Sequence, residues 1–225
     1  MRSTFGFGDA LLGMPLLALV IPLTTATPLM AFTGPALSLL LLARNWRHVD
    51  WRGVRVLIIS TIAGIPFGLL ILKRVDAHWV TLILAAVIIL FALYGFFRPH
   101  LSRLQSGRSA PVFGFFGGVL GAAYNTQAPP IVIYGALRGW PPEMFRATLQ
   151  GYFLPTGLAI LIGQGAVGLW TVEVLKTVLW SIPVLAASAA IGRLLSRRIP
   201  PDKFNRWIYG LLLVSGAVLA VKVIF

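Results

Sequence analysis

Apolar residues in this 225-residue chain come in long unbroken blocks. They do not show the two-residue alternation of a strand or the one-sided stripe of a surface helix. The blocks cover Thr27–Ala43, Gly53–Leu72, Trp79–Phe97, Met144–Ile162, Val174–Leu195 and Phe204–Phe225. Each approaches the length of about 20 residues that carries a helix across a hydrocarbon core. Two further apolar segments, Phe5–Val20 and Val112–Leu137, are broken by glycine, proline and polar residues. A membrane β-barrel would read as short alternating segments, so the pattern predicts an all-α integral membrane protein. It has about six to eight membrane segments in a single transmembrane domain.

The two broken segments resemble each other. A shift of about 115 residues lays Gly6 on Gly121 and Pro15 on Pro130. Further on, a shift of about 124 lays Gly68 on Gly192 and Lys73–Val75 on Arg197–Ile199. The order of elements also recurs: broken segment, span, loop, span, basic corner, span. We therefore expect two repeats, at about 1–100 and 110–225, joined near 98–110 by the polar linker RPHLSRLQSGRSAP. The opening 28 residues could pass for a signal peptide. The return of a related pattern in mid-chain argues against that reading.

Charge sets the expected topology. The net charge is +13, with 58% hydrophobic and 11% charged residues. Most basic residues lie in short connections between apolar spans, which assigns them to topology and anionic lipid rather than nucleic acid. The loop Arg44–Arg55 of the first half holds four arginines, and its counterpart Gly163–Trp170 holds none. The corner at Lys73 and Arg74 is weakly basic, whereas its counterpart around Arg193–Arg206 is strongly so. Basic loops face the cytoplasm, so the heavy side alternates and the repeats are expected to be inverted. Taking each broken segment as re-entrant puts the Arg44 loop, the linker, the Arg138 turn and the Arg198 corner on the cytoplasmic side. Gly163–Trp170 is then external, as is the Lys73–Arg74 corner against the charge rule. The expected architecture is two inverted repeats, each of one re-entrant or broken helix plus three transmembrane helices.

Candidate chemistry sits in the second broken segment, GAAYNTQAPPIVIYGALRG. Non-helical backbone at membrane depth survives only where protein buries it or water reaches it, and broken helices at a repeat interface point to a transport site. Gly121, like Gly6 and Gly8 in the first segment, permits a close turn, and Pro129 and Pro130 interrupt a continuous helix. Asn125, Thr126 and Gln127 offer hydrogen bonds either to a bound anion or to the helix ends. Thr24, Thr25 and Thr27, in the matching first turn, are weaker candidates. Arg146 lies near a helix start, where it either supplies charge to an anion or snorkels to headgroups. Asp9 is the acid of the first broken segment, either a proton-coupling carboxylate or a turn residue. Trp46, Trp51, Trp79 and Trp140 stand beside charged loops as interface anchors. There is no cysteine, and the three histidines are far apart, so no metal site and no cofactor are expected. A phosphate-binding loop of the GxxxxGK[ST] kind is absent, which leaves any coupling to a proton or ion gradient.

The stretches GFGDALLGMPLLALVIPL, LLLLARNWRHVDWR, GIPFGLLILKRV and PPIVIYGALRGWPPEMFRAT resemble the sulfite exporter TauE/SafE family. The resemblance covers nearly the whole chain, and GALRGWPPEMFRAT is its most specific part. It implies duplicated helix modules that carry small anions, such as sulfite and organosulfonates, across the bacterial inner membrane, with export as the direction. The position of Arg146 within FRAT strengthens its candidacy. Two departures stand out. Only Met1–Thr4 precede the first glycine turn, so the first hairpin is expected to lack its leading half or the natural start to lie upstream. The second turn reads GAAYNTQAPP where the family is commonly glycine-rich, so side chains replace bare backbone. The expectation is a secondary anion transporter, with lipid and a small anion as partners. A passive anion channel is the alternative, and an intramembrane enzyme or assembly factor a more remote one.

Overall fold

A computed structural model describes residues 7–97, 104, 106–181 and 201–224. Among these, every regular element is helical. Helix α1 is Asp9–Ala18, α2 is Leu23–Asn45, α3 is Trp51–Arg74 and α4 is Ala77–Phe97. Helix α5 is Ala110–Tyr124, α6 is Ala128–Leu137, α7 is Pro142–Ala166 and α8 is Pro201–Ile224. Residues 172–181 are helical as well, and the rest of the expected span Val174–Leu195 lies outside the described residues.

Three of these helices, over Leu23–Ala43, Trp51–Arg74 and Ala77–Phe97, are long and apolar enough to cross a membrane. Helices α7 and α8, with 25 and 24 residues, have the length as well. Outward-facing residues are apolar: Ile59 of α3 is 69% exposed, Leu90 of α4 66%, Ile162 of α7 67% and Trp180 of the helical stretch 172–181 80%. In water such surfaces would be an aggregation hazard, and against acyl chains they are at home.

The second broken segment folds as a hairpin. Helix α5 enters, turns at Asn125–Gln127 and returns as the shorter α6. Its two ends are tied together, since the Leu104 N–H donates to the Leu137 carbonyl at 2.9 Å. Arg138 Nη1 donates to the Leu104 carbonyl at 3.0 Å. The linker end and the Arg138 turn therefore lie on one face of the molecule. The loop before α3 lies there too, because the Asp50 N–H donates to Thr148 Oγ1, near the start of α7, at 3.0 Å. Asp50 also caps α3 by accepting from the Gly53 N–H at 3.0 Å, which satisfies one of the free donors of the first turn. This arginine face carries Arg47, Arg52, Arg108, Arg138 and Arg146.

The opposite face gathers the far ends of α3, α7, α1 and α8. Lys73 Nζ donates to the Val167 carbonyl just past α7 at 2.6 Å. The lysine expected on the external side against the charge rule is thus engaged at a helix C-terminus, where a cation is favoured. Lys222 Nζ, in the last turn of α8, donates to the carbonyl of Leu19 at 2.7 Å and more weakly to that of Ala18. It caps the C-terminal end of α1 in the same way. Trp46 and Trp51 mark the arginine face, and Trp79 and Trp170 the other; all four are 40% exposed or more, as expected of interface anchors. Trp140 is half-buried and packs on Tyr134 and Phe145.

Helices α3 and α5 run parallel in direct backbone contact. Gly64 and Gly68 of α3 face Gly114 and Gly118 of α5, an i, i+4 glycine pair on each helix. A Cβ at Gly64 would fall on the Phe115 carbonyl, and one at Gly118 on the Thr61 carbonyl. Small residues allow this approach where lipid supplies no hydrophobic drive between helices. Thr61 Oγ1 adds hydrogen bonds to the Gly114 carbonyl at 2.8 Å and to the Tyr152 hydroxyl at 2.7 Å. Helix α2 packs on α7, and α4 packs on α8.

Gly118→Val should lower the thermal midpoint of the detergent-purified protein, in line with an overpacking cost of about 1–3 kcal/mol. Gly210→Ala, whose Cβ would meet only Phe96 at 3.9 Å, should leave it unchanged. Fluorescence-detected size-exclusion after a heating series measures both. Membrane topology is checked on the cysteine-free background by an impermeant thiol reagent applied to intact cells. Glu173→Cys should be labelled, and Ser106→Cys only after permeabilisation.

Candidate functional site

The hairpin turn is built to end one helix and start another. Asn125 adopts the left-handed conformation at φ 51°, which asparagine tolerates better than most residues. Its N–H bonds the Gly121 carbonyl at 2.8 Å, and the Thr126 N–H bonds the Leu120 carbonyl at 3.2 Å. These are the paired bonds that close a helix at a left-handed residue. Thr126 Oγ1 donates to the Tyr124 carbonyl at 2.8 Å. Thr27 Oγ1 reaches across from α2 to the Ala123 carbonyl at 3.2 Å. Gln164 Nε2, from α7, lies 3.5 Å from the Ala122 carbonyl. The loose carbonyl end of α5 is thus satisfied by its own turn and by two neighbouring helices.

The start of α6 is treated differently. Gln127 is its N-cap position and makes no capping bond from its side chain. Pro129 and Pro130 follow, both buried. They carry no N–H, so the amides of the opening turn are those of Gln127 and Ala128. Gln127 is 8% exposed, and its Oε1 has no hydrogen-bond partner. A buried polar atom without a partner is costly unless something else occupies its site.

Helix α1 begins at the same place. Its N-cap, Gly8, sits at φ 113°, a conformation that favours glycine, and no side chain caps this end. Phe7, Gly8, Ala10 and Leu11 of this turn face Asn125, Thr126, Gln127 and Ala128 across a cavity of about 30 Å³. Gly34 and Pro35 of α2 and Phe153 and Gly157 of α7 complete the wall. Gly157 and Pro35 lie close, with 3.3 Å from a Cβ built on the glycine to Pro35 Cγ. The cavity is therefore midway along α2 and α7. By volume it holds roughly two waters or one small anion, at about 10–15 Å³ per water.

The two half-helices approach this cavity from opposite faces. Helix α6 leaves it for the arginine face and α1 leaves it for the other. Both present their N-terminal ends, each worth about half a positive charge, to the same space. Unsatisfied N–H groups and a positive dipole end together favour an anion.

The structure brings together four of the residues singled out in the sequence: Gly8, Asn125, Thr126 and Gln127. Gly121, Pro129 and Pro130 flank them as the hairpin's packing and breaking residues. Gly121 is close-packed, since a Cβ there would meet Ile160 Cδ1 at 2.6 Å and Gln127 Cβ at 3.1 Å. Gly6 lies outside the described residues. Asp9 is the first residue of α1, between two cavity-lining positions, and its side chain is not described. Arg146 is exposed in the opening turns of α7 at the arginine face. It is seven residues, about 10 Å of helix, from Phe153, and it does not line the cavity. Thr27 serves the end of α5, while Thr24 is exposed. Apart from Gly8, the walls from α1, α2 and α7 were not evident in the sequence. The pairs Gly34–Pro35 and Pro155–Gly157, in mid-span, are the signal that could have found them. No group of His, Cys, Asp and Glu suited to a metal occurs among the described residues.

The model of the family Sulfite exporter TauE/SafE matches residues 1–219. A protein of Cupriavidus necator described as "Probable sulfite/organosulfonate exporter TauE" is 25% identical over 224 residues, covering 98% of this chain and 88% of that one. A protein of Comamonas testosteroni described as "Probable inner membrane transporter protein TsaS" is 24% identical over 183 residues, covering 78% and 74%. No solved structure matches the chain.

Gln127→Ala removes a buried, unpartnered polar atom from a residue that lines the cavity. It should weaken anion binding by about tenfold, the scale of one hydrogen bond to a charged group. Scintillation proximity binding on the purified protein measures this, with an unchanged thermal midpoint as the folding control.

Proposed function

Because the chain belongs to the sulfite exporter TauE/SafE family, we propose that this membrane transporter carries small oxyanions of sulfur, sulfite and organosulfonates, through the central cavity. The protein is a multi-pass protein of the bacterial inner membrane. The observation that carries the substrate reading is the meeting of two half-helix N-termini, from opposite faces, at a small cavity midway along α2 and α7. Anionic substrate groups suit the positive ends of discontinuous helices. Export is the direction proposed, in keeping with the name of the Cupriavidus necator relative and with an inside-negative potential. That potential drives an anion outward by about 2.3 kcal/mol per charge per 100 mV.

The same arrangement supports two inverted repeats as the architectural reading. Helix α1 would correspond to α6, α2 to α7 and α4 to α8, and the last two pairs pack directly on each other. Alternating access then consists of one body rocking about a fixed central site. Arg146, set back at the arginine face, attracts anions toward the entrance rather than touching them in the cavity. Asp9, in the first turn of α1, is the coupling carboxylate. Its ionised form would compete with the anion for the same positive helix end, so its protonation state alters anion occupancy.

Counterflow in proteoliposomes tests the reading. Radiolabelled sulfite or a sulfonate on one side should exchange with unlabelled anion on the other, with saturation. Linear, unsaturable flux would identify a channel instead. Asp9→Asn should remove the effect of an imposed pH gradient on exchange while leaving exchange itself, and equal responses of the two proteins would exclude Asp9 from coupling.

A further inference from the structure

Given the transport reading above, we propose that Lys222 is a positioning residue for it: from α8, it fixes α1 along its axis and so holds one wall of the cavity in place. Helix α1 has 10 residues, too few to cross the hydrocarbon core by itself. Pro15 lies inside it and cannot donate to the Leu11 carbonyl one turn back. Such a stub depends on its neighbours for its position. The last carbonyls of a helix have no partner within it. At the end of α1, the Leu19 N–H takes the Pro15 carbonyl, and the Val20 and Ile21 N–H groups take that of Leu17. The carbonyls of Ala18 and Leu19 follow, and no basic residue in the last turn of α1 meets them. Lys222 meets both, at 3.4 and 2.7 Å.

The other contacts of α1 set its separation from its neighbours more than its axial position. Phe7, a cavity-lining residue just before α1, packs edge-on against Phe91 of α4, with ring centroids 6.1 Å apart. Helix α4 packs on α8, so both ends of the stub rest on the same pair of helices. Towards α2, Gly13 faces Met30, whose Cε would lie 2.8 Å from a Cβ on the glycine. Methionine is a flexible side chain that adapts to small shifts. A bond from an ammonium to a carbonyl is both stronger and directional. Lys222 is remote from the cavity, since Ala18 and Gly8 are separated by about 15 Å of helix. It therefore acts on the anion through α1 and not by contact.

The test uses chemical rescue on the folded protein. The chain has no cysteine and Lys222 is exposed, so Lys222→Cys offers a single thiol that can be modified after purification and before reconstitution. 2-Aminoethyl methanethiosulfonate restores an ammonium on a stem close to lysine in length, and methyl methanethiosulfonate blocks the thiol without charge. In sulfite counterflow, Lys222→Cys and its methylthio form should show a KM raised about tenfold, the scale of one lost hydrogen bond to a charged group. The aminoethyl form should return to the wild-type KM. Val221→Cys, at an exposed position in the same turn, controls for surface charge and should keep the wild-type KM with either reagent. Rescue by the ammonium at position 222 alone supports the positioning role. An unchanged KM in Lys222→Cys overturns it, as do equal KM values in its two modified forms. A response of Val221→Cys to the aminoethyl reagent as large as that at position 222 assigns the effect to surface charge and overturns it too. Silence of the wild-type protein toward sulfite overturns the transport reading, on which this role rests.

Discussion

A polypeptide broken at membrane depth has nowhere to hide its peptide groups, and this constraint organises the rest of the molecule. Each unsatisfied N–H or C=O in hydrocarbon costs several kcal/mol, so every helix end within the membrane must find a partner or face water. The two kinds of end are treated in opposite ways. Carbonyl ends are saturated. That of α5 is closed by the Asn125 turn, Thr126, Thr27 and Gln164, and that of α1 is held by Lys222. Amide ends are left uncapped by side chains, at Gly8 and at Gln127. The asymmetry leaves two uncapped helix starts facing one small cavity in an otherwise apolar body.

The peripheral architecture serves this arrangement. Val49 packs near Gly151, Lys73 closes on Val167 and the Leu104 amide closes on Leu137. These contacts hold α2, α3, α7 and the hairpin at fixed relative depth, so that the turn at Asn125 meets the middle of α2 and α7. Proline takes part twice in different senses. Pro129 and Pro130 restrict the amides of α6 to two, while Pro35 brings a ring rather than a flexible chain against Gly157.

Much of this was legible in the sequence, for identifiable reasons. Long apolar spans announce themselves because hydrocarbon thickness fixes their length, and helices α2, α3 and α4 fall where hydropathy places them. The hairpin was legible only indirectly, through arginines that had to share one face, and the Leu104–Leu137 bond closes it. Asn125, Thr126 and Gln127 were visible as polar residues out of place. Their division of labour was not, because the left-handed backbone of Asn125 and the local bond of Thr126 are matters of geometry. Of the opposite wall, Gly8 alone was legible, as a turn glycine. Gly8, Ala10, Gly34 and Gly157 contribute backbone and empty space, and small apolar residues look alike in a list. Arg146 is at a helix N-terminus, as its sequence position says. Which of several N-termini opens on the cavity is a property of the fold.

The glycine seam between α3 and α5 bears on which part of the protein can move. With backbone against backbone at Gly64, Gly68, Gly114 and Gly118, no side chains lie between the helices to re-rotamerise, and sliding would drive carbonyls into Cα atoms. The hairpin is therefore locked to α3 as one rigid block, with α2 and α7 packed against it. Helix α4 has no comparable seam with the hairpin. An apolar groove lined by Leu90, Phe91, Phe116, Leu120 and Pro130 separates them, and lipid tails can fill or leave such a space without breaking a hydrogen bond. The mobile partner is then the α4–α8 pair, and α1 bridges the two bodies, packed on α2 and clasped to α8 by Lys222. In that division α6 belongs to the stator while α1 spans stator and rotor, so any displacement of α8 reaches the cavity through α1.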